Sequence, residues 1–151
     1  MDLAPHFDEF IESLIAHGAE FLIVGAYALA FHGAPRFTGD LDILIRPTDD
    51  NAARLLTAIR GFGFPVGELQ PRDLADSRRM LEMGVPPVQI HIMSAISGVT
   101  WEEAWADRVT GPCGRHQVPF LGRETLVQNK RAAGRPKDLA DIDALATGEG
   151  P

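Results

Sequence analysis

Two aspartates, Asp40 and Asp42, open the apolar run Ile43-Leu44-Ile45 at the end of the stretch GAYALAFHGAPRFTGDLD, Gly25 to Asp42. Residues two apart on a strand face the same way, so the two carboxylates can stand side by side. Carboxylates a few ångströms apart repel and raise a pKa unless a cation lies between them. A divalent metal on Asp40 and Asp42 relieves that repulsion, and an oxygen-only donor set favours magnesium or manganese over zinc. Magnesium held by one or two carboxylates completes its shell with water and substrate phosphates, which points to phosphate chemistry. A D-x-D pair also serves as a solvated strand edge or a turn cap, so the flanking residues have to discriminate.

The elements around the pair favour phosphate. Phe21-Leu22-Ile23-Val24 is an unbroken apolar run and predicts a strand buried on both faces. Gly25 follows it as a tight turn where backbone can approach a phosphate, and Ala26 begins a short helix over residues 26–32 whose start favours anions. Arg36 and Thr38 precede the aspartates at the same alternation. If the strand begins early they share its face, Arg36 toward a phosphate and Thr38 toward a metal-bound water or a backbone group. The alternative is a surface arginine and a strand-forming threonine.

Strand, glycine turn, helix and then Arg36-x-Thr38-x-Asp40-x-Asp42 resembles the nucleotidyltransferase superfamily of the DNA polymerase β type, and within it the minimal bacterial branch of AbiEii-like toxins and their relatives. The resemblance implies that the glycine turn, here Gly25-Ala26, holds a nucleoside triphosphate and that Asp40 and Asp42 hold the metals. Ala26 departs from the usual Gly-Gly or Gly-Ser. The resemblance also implies a third acid on the strand after the hairpin region, in Val88-Gln89-Ile90-His91-Ile92-Met93, where this chain has His91. His91 alternates with Ile90 and Ile92, so it can face a polar cleft and there bind a metal or take a proton. It can equally be a non-catalytic replacement, with Glu82 on the neighbouring strand a weaker substitute.

A second segment, Asn129-Lys130 with Gly134-Arg135-Pro136-Lys137-Asp138-x-x-Asp141, resembles the C-terminal K…R-x-K-D-x-x-D motif of the same branch. The resemblance places Lys130, Arg135 and Lys137 on the nucleotide phosphates. Asp138 and Asp141 fall in the first turn of the last helix, where carboxylates offset the helix dipole whatever the function, and that is the role expected of them.

The positioning elements follow from periodicity and caps. Helices are predicted over residues 5–17 (Phe7, Phe10, Ile11, Leu14 and Ile15 facing the sheet), over 48–60 with Thr48 as N-cap and Ala52, Leu55, Leu56 and Ile59 inward, and as one turn near 72–76. Strands over 79–83 and 88–93 form a hairpin, and Thr100-x-x-Glu103 is a capping box for a helix carrying Trp101 and Trp105 on one face, both core. A second hairpin pairs 109–111 with 117–121, and helices over 123–133 and 136–146 follow. The fold class is α+β, a nucleotidyltransferase-like mixed β-sheet covered by helices with two C-terminal helices.

At 151 residues the chain predicts a single domain over 1–146 with a loose tail at 147–151. Its 45% hydrophobic and 23% charged residues suit a globular protein of the cytoplasm, with no apolar run long enough for a membrane. A net charge of −7 opposes binding to long duplex DNA. Cys113, the only cysteine, cannot form an internal disulfide and its place between Pro112 and Gly114 predicts a turn; a nucleophile is the remote alternative. Together these imply a magnesium- or manganese-dependent enzyme that binds an NTP and transfers NMP to a hydroxyl of RNA, protein or a small molecule, with a cognate antitoxin as partner. The alternative is an inactive nucleotide-sensing or partner-binding module of the same fold; a third reading makes the fold a structural subunit and the D-x-D a cap.

Overall fold

A computed structural model describes residues 5–35, 39–85 and 88–147. Arg36 and Thr38 lie outside the described residues, as do 148–151 of the expected tail 147–151, whose first residue, Thr147, is the last of a helix. In chain order the elements are α1 (Pro5–Ala16), β1 (Phe21–Val24), α2 (Gly25–Phe31), β2 (Leu41–Ile45), α3 (Asp49–Phe62), α4 (Pro71–Leu74), β3 (Met80–Val85), β4 (Val88–Met93), α5 (Trp101–Ala106), β5 (Val109–Cys113), β6 (His116–Phe120), α6 (Arg123–Ala133) and α7 (Pro136–Thr147).

Among the described residues the strands form one mixed sheet in the order β3-β4-β2-β1-β6-β5. β1 runs antiparallel to β2, β2 parallel to β4, and β1 parallel to β6. Two antiparallel hairpins, β3–β4 and β5–β6, close the edges. This is the α+β class that the sequence predicts. β1 and β2 are central and almost continuously apolar, which is what a strand covered on both faces requires.

Local signals set the helix ends. The Thr48 hydroxyl accepts from the Asn51 N–H to open α3, and Gly63 at φ 97° closes it in the left-handed conformation. Thr100 and Glu103 form the expected reciprocal capping box of α5. Along α1, Phe7, Phe10, Ile11 and Leu14 are buried, but Ile15 is 47% exposed. The buried stripe is narrower than the spacing predicts, and Ile15 falls beyond its edge. Trp101 joins the core and stacks on half-buried Trp105 with ring centroids 5.2 Å apart. The guanidinium of Arg108 covers Trp105 at 3.9 Å, so this second tryptophan is a rim residue and not core. Cys113 ends β5 and is buried, where a turn was predicted, and burial pushes its thiol up to about 11. A thiol so disfavoured as thiolate is no nucleophile.

One side chain pins the site-bearing strand pair at its far end. Buried Asn51 accepts from the Glu20 N–H at 2.7 Å and donates to the Glu20 and Arg46 carbonyls at 2.9 and 3.1 Å. It thereby ties the entrance of β1 and the exit of β2 to α3. No helix of the described residues is long and apolar enough to cross a membrane. Asn51→Ala strips the Glu20 N–H of its acceptor, while the Glu20 and Arg46 carbonyls keep the Arg46 and Thr48 N–H donors, and denaturant melts are expected to show a loss of about 1–3 kcal/mol. A loss within about 0.5 kcal/mol would mean that the β1–β2 pairing holds its register without this side chain.

Candidate active site

Sheet register brings the chemistry-bearing residues into a row. Val24 on β1 pairs with Asp42 on β2, Asp42 pairs with His91 on β4, and His91 pairs with Glu82 on β3. The neighbours of His91 in β4, Ile90 and Ile92, are buried, so alternation turns His91 away from the core as predicted. Strand β2 begins at Leu41, so Asp40 sits just ahead of it. Asp40, Asp42 and His91 nevertheless line one cleft of about 730 Å³, together with Gly25 and Ala26. Glu82 is exposed at the outer end of the row and is not part of the cleft lining.

Gly25 is required here for two reasons. Its φ of 64° lies in the left-handed region, and a Cβ at this position would collide with the Asp42 carboxylate. The end of β1 therefore closes directly over Asp42. On the other side, His91 Nδ1 donates to Asp42 Oδ1 at 2.9 Å. His91 Nε2 meets Gln89 Oε1 at 3.1 Å, and the Gln89 N–H donates to Asp40 Oδ1 at 3.1 Å. Gln89 thus supports both carboxylates, one through its backbone and the other through His91. Only its place two residues before His91 on the same strand face signals this role in the sequence.

Burial raises the Asp42 carboxyl above its ordinary range; the hydrogen-bonded His91 opposes that shift, neighbouring Asp40 adds to it, and Lys130 opposes it from across the cleft. A desolvated carboxylate beside a second carboxylate is an environment that a divalent cation relieves. The donor set is hard oxygen, which fits magnesium or manganese, with the remaining positions left to water and phosphate. Among the described residues no group of three or more His, Cys, Asp or Glu is arranged around a metal position, and Asp40 and Asp42 are the two carboxylates that a cation in this cleft would meet.

The facing wall comes from the α6–α7 corner, where Asn129, Lys130, Arg135, Lys137 and Asp138 reach the cleft. Gly134 at φ 66° ends α6 and lets α7 fold back. Lys130 is only 6% exposed, and its Nζ lies 3.0 Å from Asp141 and 3.5 Å from Asp138. The sequence places Asp138 and Asp141 as first-turn carboxylates offsetting the helix dipole; only Asp138 lies in the first turn of α7, and both are buried and paired with Lys130, because α7 packs back on α6. Arg135 Nε and Nη2 donate to Asp138 at 2.6 and 3.2 Å, and its backbone N–H caps the same carboxylate. Those Arg135 hydrogen bonds hold Asp138 below the usual carboxylate range. Lys137 is exposed and has no carboxylate partner among the described residues.

No family model matches this sequence, and no curated protein matches it. Among solved structures, the fold is similar to a crystal structure from Thermotoga maritima described as that of a candidate nucleotidyltransferase. The TM-score is 0.63 at 14% identity, over 91% of this chain and 88% of that one. The chain therefore has a nucleotidyltransferase-like fold.

Two outcomes test the geometry. Gly63→Ala meets open space and incurs backbone strain alone, whereas Gly25→Ala incurs strain and the collision with Asp42. Equilibrium denaturation should place Gly25→Ala below Gly63→Ala by about 1–3 kcal/mol. For Asp138, a depressed folded pKa means stability that is present above the ordinary value and lost as pH falls through the folded one. Urea melts from about pH 6 to about pH 2.5 should show a shallower acid slope in Asp138→Asn than in the wild type.

Proposed function

We propose that this protein is a nucleotidyltransferase of the cytoplasm that binds a nucleoside triphosphate with magnesium or manganese and transfers the nucleoside monophosphate to a hydroxyl. The observation that carries this is the opposition of charges across one cleft, with Asp40 and Asp42 on the sheet wall and Lys130, Arg135 and Lys137 on the α6–α7 wall. A triphosphate carrying a divalent cation matches that arrangement. Its metal side suits the carboxylates, and its remaining oxygens suit the cations.

The residues divide the work. Asp40 and Asp42 would hold the cation, which when bound supplies charge neutralisation for the phosphates. Lys137, exposed and without a carboxylate partner among the described residues, is the cation best able to follow a phosphate. Arg135 reaches phosphate only by sharing or releasing Asp138, and Lys130 stays in its carboxylate pair and contributes field more than contact. Gly25 and Ala26 line the cleft where the resemblance places the triphosphate turn; for Arg36 and Thr38, outside the described residues, a nucleotide-binding role rests on the resemblance alone. In the transfer, the acceptor oxygen bonds to the α-phosphorus, the bond to the β-phosphate oxygen breaks, and pyrophosphate leaves with that electron pair while the hydroxyl proton is released.

The acceptor is RNA, protein or a small molecule, and a toxin with a cognate antitoxin is the biological setting that the AbiEii-like resemblance suggests. Residues 1–146 act as one domain in this reading. Expression without a partner protein should then slow growth, and Asp42→Asn should restore it.

Calorimetric titration of each Mg–NTP tests the binding step. The wild type is expected to bind at least one of them, the Asp40→Asn/Asp42→Asn pair to lose that binding, and Lys137→Ala to weaken it about tenfold, or roughly 1.4 kcal/mol. No binding by a folded wild type with either metal would remove the enzyme reading. One observation favours the inactive alternative: a histidine stands where the resemblance calls for a third acid, and both of its nitrogens are engaged. Gain of transfer in His91→Asp would identify a nucleotide-binding module that has lost its chemistry.

A further inference from the structure

Neither ring nitrogen of His91 is free to bind a metal or to take a proton from an acceptor hydroxyl. Its Nδ1 is 2.9 Å from Asp42 Oδ1 and its Nε2 is 3.1 Å from Gln89 Oε1. The Asp42 carboxylate accepts from Nδ1, and Nε2 is engaged by the Gln89 side-chain amide. Turning the Gln89 amide over would make its NH₂ the donor and still occupy Nε2. The ring is also fixed from both sides, since Gln89 is anchored through its backbone to Asp40 and Asp42 lies beneath Gly25.

The consequence concerns cation stoichiometry. Two divalent cations a few ångströms apart carry four positive charges, and a third acid beside the D-x-D pair supplies both charge and bridging oxygens to hold them together. Here the residue at that register position adds no oxygen ligand and also occupies one oxygen of Asp42. Glu82, next in the row, lies outside the cleft lining and does not compensate.

We infer that His91 makes this a single-cation site: it stands in the place of a third metal ligand, takes up Asp42 Oδ1 itself, and leaves Asp40 and Asp42 able to retain the nucleotide-borne cation but not a second one. This rests on the reading above that Asp40 and Asp42 hold a divalent metal. His91 is then a positioning residue, keeping Asp42 oriented toward the cleft, and the acceptor hydroxyl is activated without a protein-held cation of its own. Slow transfer to an acidic or otherwise activated hydroxyl is the chemistry such a site favours.

The test counts manganese on the intact chain. Equilibrium dialysis with Mn²⁺, alone and with one equivalent of tripolyphosphate, is expected to give about one bound ion per chain, rising to about two in His91→Asp. Two ions on the wild type, or no second ion in a folded His91→Asp, would overturn the inference. Electron spin echo modulation on the wild type decides independently of whether that variant folds. Tripolyphosphate contains no nitrogen, so a directly bound nitrogen coupling to Mn²⁺ would make His91 a ligand and overturn the proposal, and its absence supports it. No bound manganese on a folded wild type is a distinct result, removing the metal reading of Asp40 and Asp42 and the inference together.

Discussion

The constraint on which this site depends is the contact between the end of β1 and the carboxylate of Asp42. Gly25 can turn tightly at positive φ, and its missing side chain leaves the space that the carboxylate fills. Partial burial makes the charged form of Asp42 costly, as its raised pKa records, and the hydrogen bond from His91 recovers part of that cost. A charge held in this way is a site in waiting: it gains more from an arriving cation than a solvated carboxylate does, because less water has to be displaced.

The opposite wall obeys the same electrostatics with the sign reversed. A buried lysine is expensive unless paired, and Lys130 is paired twice, with Asp138 and Asp141 across the Gly134 corner. This network fixes α7 against α6 and so fixes where Arg135 and Lys137 emerge. The cations nearest the helix corner, Lys130 and Arg135, are structural first, and Lys137 lies exposed on the cleft outside their network. Asn129 extends the frame by donating to the Ser97 carbonyl at 3.0 Å, which ties α6 to the loop on the β4 side of the cleft.

Fold and chemistry are separable in this chain. The mixed sheet and its covering helices make a nucleotidyltransferase-like fold, and a fold accommodates several activities. What individualises this site is the row Asp42–His91, a carboxylate beside an imidazole where a set of three acids would concentrate more negative charge. Fewer anionic oxygens mean weaker attraction for cations, and a reaction there has to rely more on orientation and on the facing cations.

Residue order alone determined the elements and the central pair. Alternation put Asp40 and Asp42 on one side and His91 opposite Ile90 and Ile92, and caps such as Thr48 and the Thr100–Glu103 box marked helix starts, because these signals act within a few residues. The tertiary structure decided what depends on contacts between distant segments. Asp138 and Asp141 read as first-turn carboxylates that offset the helix dipole, since nothing local shows that α7 folds back to bury them on Lys130. Ile15 fits a helical stripe but lies beyond the edge of the surface that covers it, and Cys113 reads as a turn until the β5–β6 pairing extends through it. Gln89 carried no motif at all; its value comes from parallel pairing of β2 with β4, which sets it beside Asp40 while its side chain reaches His91. Periodicity states which way a side chain points, and only the register between strands states what it meets there.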